Sequence, residues 1–208
     1  MTIAVEVPGL DTILPELPDG HIIVIEGGAD SAKSFFVRRL GITATRAGLP
    51  VTYVISRDRE ELQVLLQKEG GENGWAHPPE ILERDSIEDL NPSAAKGGFL
   101  AVDSFSFLTL DYPASVLAAM IRALRAQCRS KGTIVVLTTD RGMFEPRGEA
   151  VVAHLADGVI QFHSREGPEG LVRFLRIPKW SEGKFFDRNI YYEFDGNRIA
   201  IDLRSRVL

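Results

Sequence analysis

The sequence predicts an α/β fold: a mostly parallel central sheet with flanking helices, completed by a C-terminal antiparallel β-meander. Three observations carry that prediction. Short apolar, β-rich runs alternate with longer stretches of helical periodicity as far as residue 138, the pattern of βα units that feed a parallel sheet. Beyond residue 158 the pattern changes to strands joined by short turns. The chain has 208 residues, 44% hydrophobic and 25% charged, which is the length and composition of one folded domain, so residues 1–208 are expected to form a single unit.

Taken in order, the first strand is read at residues 21–26 (HIIVIE), and it runs into the loop GGADSAKS. Residues 35–46 then place apolar side chains at helical spacing, with Gly48 as a stop signal. A second strand at 50–55 (PVTYVI) leads to a helix whose Leu62, Leu65 and Leu66 share one face, closed by Gly70. Residues 69–79 (EGGENGWAHPP) are rich in turn formers and read as a surface excursion. Gly97 and Gly98 introduce the apolar strand FLAVDS, which ends at Asp103 and Ser104. Residues 114–130 form the clearest amphipathic helix, with Leu117, Met120, Ile121 and Leu124 on one stripe and Arg122, Arg125 and Arg129 expected in solvent. A buried strand follows at 133–138 (TIVVLT). The meander is read at 158–164, 170–177, 189–194 and 198–202, with turns at GPEG and DGN.

Composition limits the function classes. The net charge of −5 argues against general attraction to nucleic acid or anionic membrane. Cys128 is the single cysteine, so no intramolecular disulfide or cysteine-based metal cage can form, and it reads as a small packing residue. No apolar run reaches the roughly 18 residues of a membrane span, and a cytoplasmic location without a membrane partner is the expectation. His21, His77, His154 and His163 show no ligand spacing, so no zinc site is expected, and Trp75 and Trp180 are placed in surface-adjacent loops and read as packing residues.

The informative motif is the loop after the first strand. A phosphate-binding P-loop, GxxxxGK[ST], turns backbone N–H groups inward around phosphate. It adds a lysine for the β and γ positions and a hydroxyl for Mg²⁺, all at a helix N-terminus that favours anions. Gly27, Lys33 and Ser34 hold the first glycine, lysine and hydroxyl places, and Ala32 stands where the second glycine belongs. If that place requires a positive φ, alanine costs roughly 1 kcal/mol. Asp30 adds a carboxylate that opposes anion binding unless it points outward. The candidate nucleotide-binding residues are therefore Gly27, Gly28, Ala29, Asp30, Ser31, Ala32, Lys33, Ser34 and Phe35, with Lys33 expected as an exposed loop lysine. FLAVDS has the form of a Walker B strand, so Ser34 and Asp103 are the candidate Mg²⁺ residues, Asp103 acting through water. The implied ligands are ATP or ADP with Mg²⁺.

With these motifs in order, the chain resembles the RecA-like P-loop ATPases of the KaiC type, a group that includes archaeal RadA paralogues and the archaellar accessory ATPase. The resemblance rests on PGLDTILPELPDGHIIVIEG before the loop, FLAVDS, TIVVLTTD, and HLADGVIQF followed by LVRFLRIPKW. It implies a RecA-like sheet with a C-terminal hairpin and a tendency to form rings or filaments, hence a homo-oligomer or a protein partner. The family's catalytic glutamate pair is replaced by Arg57 and Asp58, leaving Asp58 as a shorter candidate base. The family's KMRG segment, which reaches a neighbouring subunit's γ-phosphate, reads Lys179, Trp180, Ser181, Glu182, so Lys179 alone remains for a trans contact.

Three functions are then ranked. The first is a nucleotide-binding regulatory or assembly module with weak or lost hydrolysis. The second is a recombination accessory protein that binds single-stranded DNA, with Arg141, Phe144 and Arg147 of the loop DRGMFEPR as clamp and stacking ring. The third is an active ATPase.

Overall fold

A computed structural model of the chain describes residues 2–14, 16–56, 58–71, 75, 77–87, 98–168, 170–181 and 186–201. Its centre is a nine-stranded sheet, reading across β11-β10-β9-β8-β3-β7-β6-β4-β5. The strands are β3 (Ile22–Gly27), β4 (Val51–Ile55), β5 (Glu80–Glu83), β6 (Phe99–Asp103), β7 (Ile134–Asp140), β8 (Gly158–Gly167), β9 (Gly170–Lys179), β10 (Phe186–Phe194) and β11 (Ile199–Ile201). From β8 to β5 every neighbouring pair is parallel, and β8, β9, β10 and β11 pair antiparallel. This is the mostly parallel α/β sheet with a terminal meander that the sequence predicts.

The parallel strands are buried on both faces, which is why they read as continuous apolar runs. One face of β3 sends Ile23 and Ile25 into a core with Phe36 and Leu40 of helix α1 (Lys33–Arg46) and Leu62 and Leu66 of α2 (Arg59–Gly70). The other face sends Ile22 and Val24 into a core with Leu117, Ile121 and Leu124 of the later helix α4 (Ala114–Lys131). Between β6 and α4 lies the single turn α3 (Phe105–Leu108). The meander is part of the first core, since Phe162, Leu175 and Tyr192 are buried in it. Its turns behave as read, with Asp195 Oδ1 accepting from the backbone N–H of Asn197 and Arg198 at 2.8 Å each.

Besides the single turn α3, four elements escape the sequence reading. The strands β1 (Thr2–Ala4) and β2 (Glu16–Pro18) pair antiparallel and carry Ile3 and Leu17 into the first core. Edge strand β5 buries only Ile81 well, so its apolar signal is one residue deep. Helix α5 (Pro146–Leu155) starts at a proline suited to the first helical turn, yet buries only Gly148 and Val152. Too little of its surface is covered to impose a helical period.

Two expectations are corrected. Arg125 and Arg129 do not merely face solvent: both donate to Asp157 Oδ1, whose side chain is 5% exposed. Trp180 is buried rather than surface-adjacent, and a Cβ added at Gly158 would lie 2.8 Å from its ring. Trp75 closes α2 instead, donating from Nε1 to Leu66 O at 3.1 Å. The predicted roles of Gly97 and Asp202 lie outside the described residues.

Candidate functional site

The parallel register puts Gly27 beside Asp140, so the C-terminal ends of β3 and β7 meet where residues 27–34 leave the sheet. Ligands in open α/β sheets collect at such carboxyl ends. The loop then enters α1 through Ala32, which adopts φ 59°, ψ 16°. This left-handed place is the one that glycine holds in the consensus motif, and the chain holds it with alanine at a cost of about 1 kcal/mol. The helix start has no side-chain cap and no acidic residue in its first turn, so its leading N–H groups face the loop uncapped by side chains.

Gly27 is required by space: a Cβ there would meet Ser31 Oγ at 2.5 Å and Phe162 Cβ at 3.0 Å, whereas one at Gly28 would meet only the exposed, movable Asp30 carboxylate at 2.9 Å. Ser31 tightens the turn by donating through N and Oγ to Gly28 O, at 3.2 and 2.6 Å. Ala29 and Asp30 lie exposed at the tip. Two meander residues hold the loop from outside: Tyr192 donates its hydroxyl to Ser31 O at 2.7 Å, and Arg173 Nε donates to Asp30 O at 3.2 Å. Burial raises the Tyr192 phenol pKa, which keeps its proton in that bond.

Lys33 is not the exposed lysine expected from the sequence. Its side chain is 7% exposed, and Nζ donates to Asp140 Oδ1 at 2.6 Å and to Gly28 O at 3.3 Å. The opposite Asp140 oxygen accepts from Ser104 Oγ at 2.8 Å and Ser106 Oγ at 3.4 Å. Burial alone would raise the Asp140 carboxyl, but the hydrogen bonds from Lys33 and Ser104 outweigh it and hold the group below the usual carboxylate range. Ser34 Oγ lies 3.4 Å from Asp103 Oδ1, which also accepts from Thr138 Oγ1 at 2.7 Å. A hydroxyl and a carboxylate are thereby joined at the loop.

A nucleoside phosphate with Mg²⁺ is the ligand that this fold implies, and the residues present fit it. The loop has the left-handed turn at Ala32, a glycine at 27 where a Cβ would collide, and an inward lysine. Ser34 and Asp103 are the oxygen donors that would hold Mg²⁺. Phe35 would contribute only backbone, because its ring packs on Phe194 at 5.3 Å in the core.

The other predicted residues are elsewhere engaged. Asp58 is exposed and caps α2, with Oδ1 accepting from Glu60 N at 2.7 Å. Lys179 donates to Ala153 O and His154 O at 3.2 and 2.5 Å, closing the C-terminus of α5. The registers Val159↔Lys179 and Ile23↔Gly158 set Lys179 near the start of β3. At roughly 3.3 Å per strand residue, that level is about 10 Å along β3 from Gly27, where the loop begins. Arg57 and Glu182 lie outside the described residues. Phe144, read as a stacking ring for DNA, is buried against Phe105, with ring centroids 6.2 Å apart. Arg141 pairs with Glu26 at 2.9 Å and touches His163, which stacks on Phe174 at 4.9 Å.

Sequence reasoning missed Asp140, Tyr192 and Arg173. The signal for Asp140 was present, since a second apolar strand ends in aspartate, but the order that sets β7 beside β3 becomes visible only in three dimensions.

Residues 10–207 match the model of a family described as "Family of unknown function (DUF7125)". No curated protein matches the chain. Among solved structures, the KaiC-like protein PH0186 of the hyperthermophilic archaeon Pyrococcus horikoshii OT3 superposes with a TM-score of 0.74 at 20% identity, over 97% of this chain and 99% of that one. The flagellar accessory protein FlaH of Methanocaldococcus jannaschii does so with a TM-score of 0.76 at 17% identity, over 97% and 98%. These likenesses establish the RecA-like fold of KaiC-type proteins across nearly the whole chain.

Proposed function

This chain belongs to the DUF7125 family, and we propose that it is a single-domain nucleotide-binding module that takes ATP or ADP with Mg²⁺ at residues 27–34 and acts in regulation or assembly. The observation that carries the reading is the conformation of that loop: Ala32 keeps the left-handed turn at φ 59°, and Lys33 Nζ folds back to Gly28 O. Keeping a left-handed alanine at a cost of about 1 kcal/mol supports a ligand role for the turn. When bound, the nucleotide would supply a polyphosphate, to which this chain would offer backbone N–H groups and the Lys33 ammonium, while the oxygens of Ser34 and Asp103 would hold its Mg²⁺. Nucleotide occupancy would then set a contact with another copy of the chain or with a partner protein, through the two-state logic of ligand-biased equilibria.

Weak or lost hydrolysis is supported by what the candidate catalytic groups do. Asp58 already accepts a helix N–H, and Lys179 already closes α5. A displaced general base typically costs about 10²- to 10⁴-fold, and a missing cation at the γ-phosphate about 10³-fold or more. The test is phosphate release at saturating Mg-ATP. Wild type should turn over well below about 1 s⁻¹, the low end of ordinary enzymes. The double variant Arg57→Glu, Asp58→Glu should raise the rate in part, and adding Ser181→Arg should raise it further if copies assemble. Wild-type turnover of several per second would overturn the loss of hydrolysis.

A further inference from the structure

We propose that Asp140 makes this loop selective for nucleoside diphosphates by standing in for the third phosphate at Lys33. The inference rests on the nucleotide-binding reading above and states which nucleotide the site prefers. In a P-loop the lysine serves the β- and γ-phosphates, while the β-phosphate also sits against the loop and helix N–H groups. Here the lysine has an anionic partner from its own chain: Nζ to Asp140 Oδ1 is 2.6 Å. The register Gly27↔Asp140 fixes that carboxylate beside the first glycine, on the floor of the loop.

The carboxylate is held in place from behind. Oδ2 accepts from Ser104 and Ser106, and Ser106 Oγ also accepts from the Asp140 N–H at 2.9 Å. Turning it away would take this acceptor from both hydroxyls and leave them their mutual contact at 2.9 Å. Lys33 is equally confined, with its side chain 7% exposed and a second bond to Gly28 O. A diphosphate needs the N–H cradle and only a share of the lysine, so Asp140 can keep its bond. A third phosphate on Lys33 must either take the ammonium from Asp140 or lie against a fixed like charge in a partly dehydrated site, where charge repulsion is stronger than in water.

The test is calorimetric titration of the full chain with Mg-ADP and Mg-ATP, on wild type and Asp140→Asn, with Asp140→Ser as a second variant and thermal melting to verify the fold of each. Wild type should bind Mg-ADP at least about tenfold tighter than Mg-ATP, and both variants should bring the two affinities within about threefold by a gain for ATP. Equal affinities in wild type, or an equal change for both nucleotides in the variants, would overturn the selectivity and leave the nucleotide site standing. A loss of ATP affinity in the variants would make Asp140 a group that assists the third phosphate or its metal, contrary to the proposal. No binding of either nucleotide by any of the three proteins would overturn the site itself.

Discussion

The two ends of β3 carry the same chemistry to different purposes. At its start, Asp157 is buried and accepts from Ile22 N at 3.0 Å, from Arg125, and from Arg129 at 3.4 Å. At its end, Asp140 is 28% exposed and pairs with the loop lysine. The first carboxylate ties β3 to α4 and the entry of β8, and its partners are all structural. The second faces a loop whose helix start has no side-chain cap. An ion pair is therefore not informative as a motif; its place on the sheet is. Carboxyl ends of parallel strands open to ligands, and their amino ends close the fold.

The sharpest way to break this contrast is Asp157→Ala. It leaves Arg125 without its buried partner and should cost about 3 to 5 kcal/mol of stability, read by urea denaturation. A loss below about 1 kcal/mol would remove the structural role assigned to that end. At the other end, Tyr192→Phe removes the hydroxyl that holds Ser31 O and should cost about 1 to 2 kcal/mol, with weaker nucleotide binding. Unchanged affinity would show that the meander does not set the loop's shape. Ala32→Gly should act in the opposite direction, relieving up to about 1 kcal/mol of left-handed strain and raising stability in the same denaturation. A loss of stability would mean that the Ala32 methyl, which packs on the core, matters more than its backbone.

The smallest effect expected is one of pH. Burial, and then the neighbouring Arg141 guanidinium, push the His163 pKa below its ordinary value. With the folded value depressed, His163 favours the folded state fully above about pH 6.5, the unfolded value, and that contribution is lost as pH falls through the folded value. His163→Gln should flatten the stability profile below that pH. A profile that keeps its slope would assign it to another group.

How much of this was legible in the sequence depends on how local the signal is. The strand, loop and helix at residues 21–46 are consecutive, and both periodicity and motif announce them. The pairing of Ser34 with Asp103 was legible too, because two motifs in order imply their meeting. Lys33 was misjudged as exposed because its partner, Asp140, lies 107 residues away on a strand whose neighbour only the sheet order reveals. The hold of Tyr192 on Ser31, across 161 residues, left no trace in composition or spacing. Helix α5 was missed for an energetic reason, since it buries two residues and owes its form to capping by Lys179 and packing on α4.

The central claim is that residues 27–34 bind nucleotide through Lys33. Its most direct test is calorimetric titration of wild type and Lys33→Ala with Mg-ADP, each verified by a cooperative thermal transition. Wild type should bind and the variant should lose at least about tenfold in affinity, since a charge-assisted contact to phosphate is removed while Ser104 and Ser106 still satisfy Asp140. Equal affinity in the two proteins, or no binding by wild type, would contradict the account.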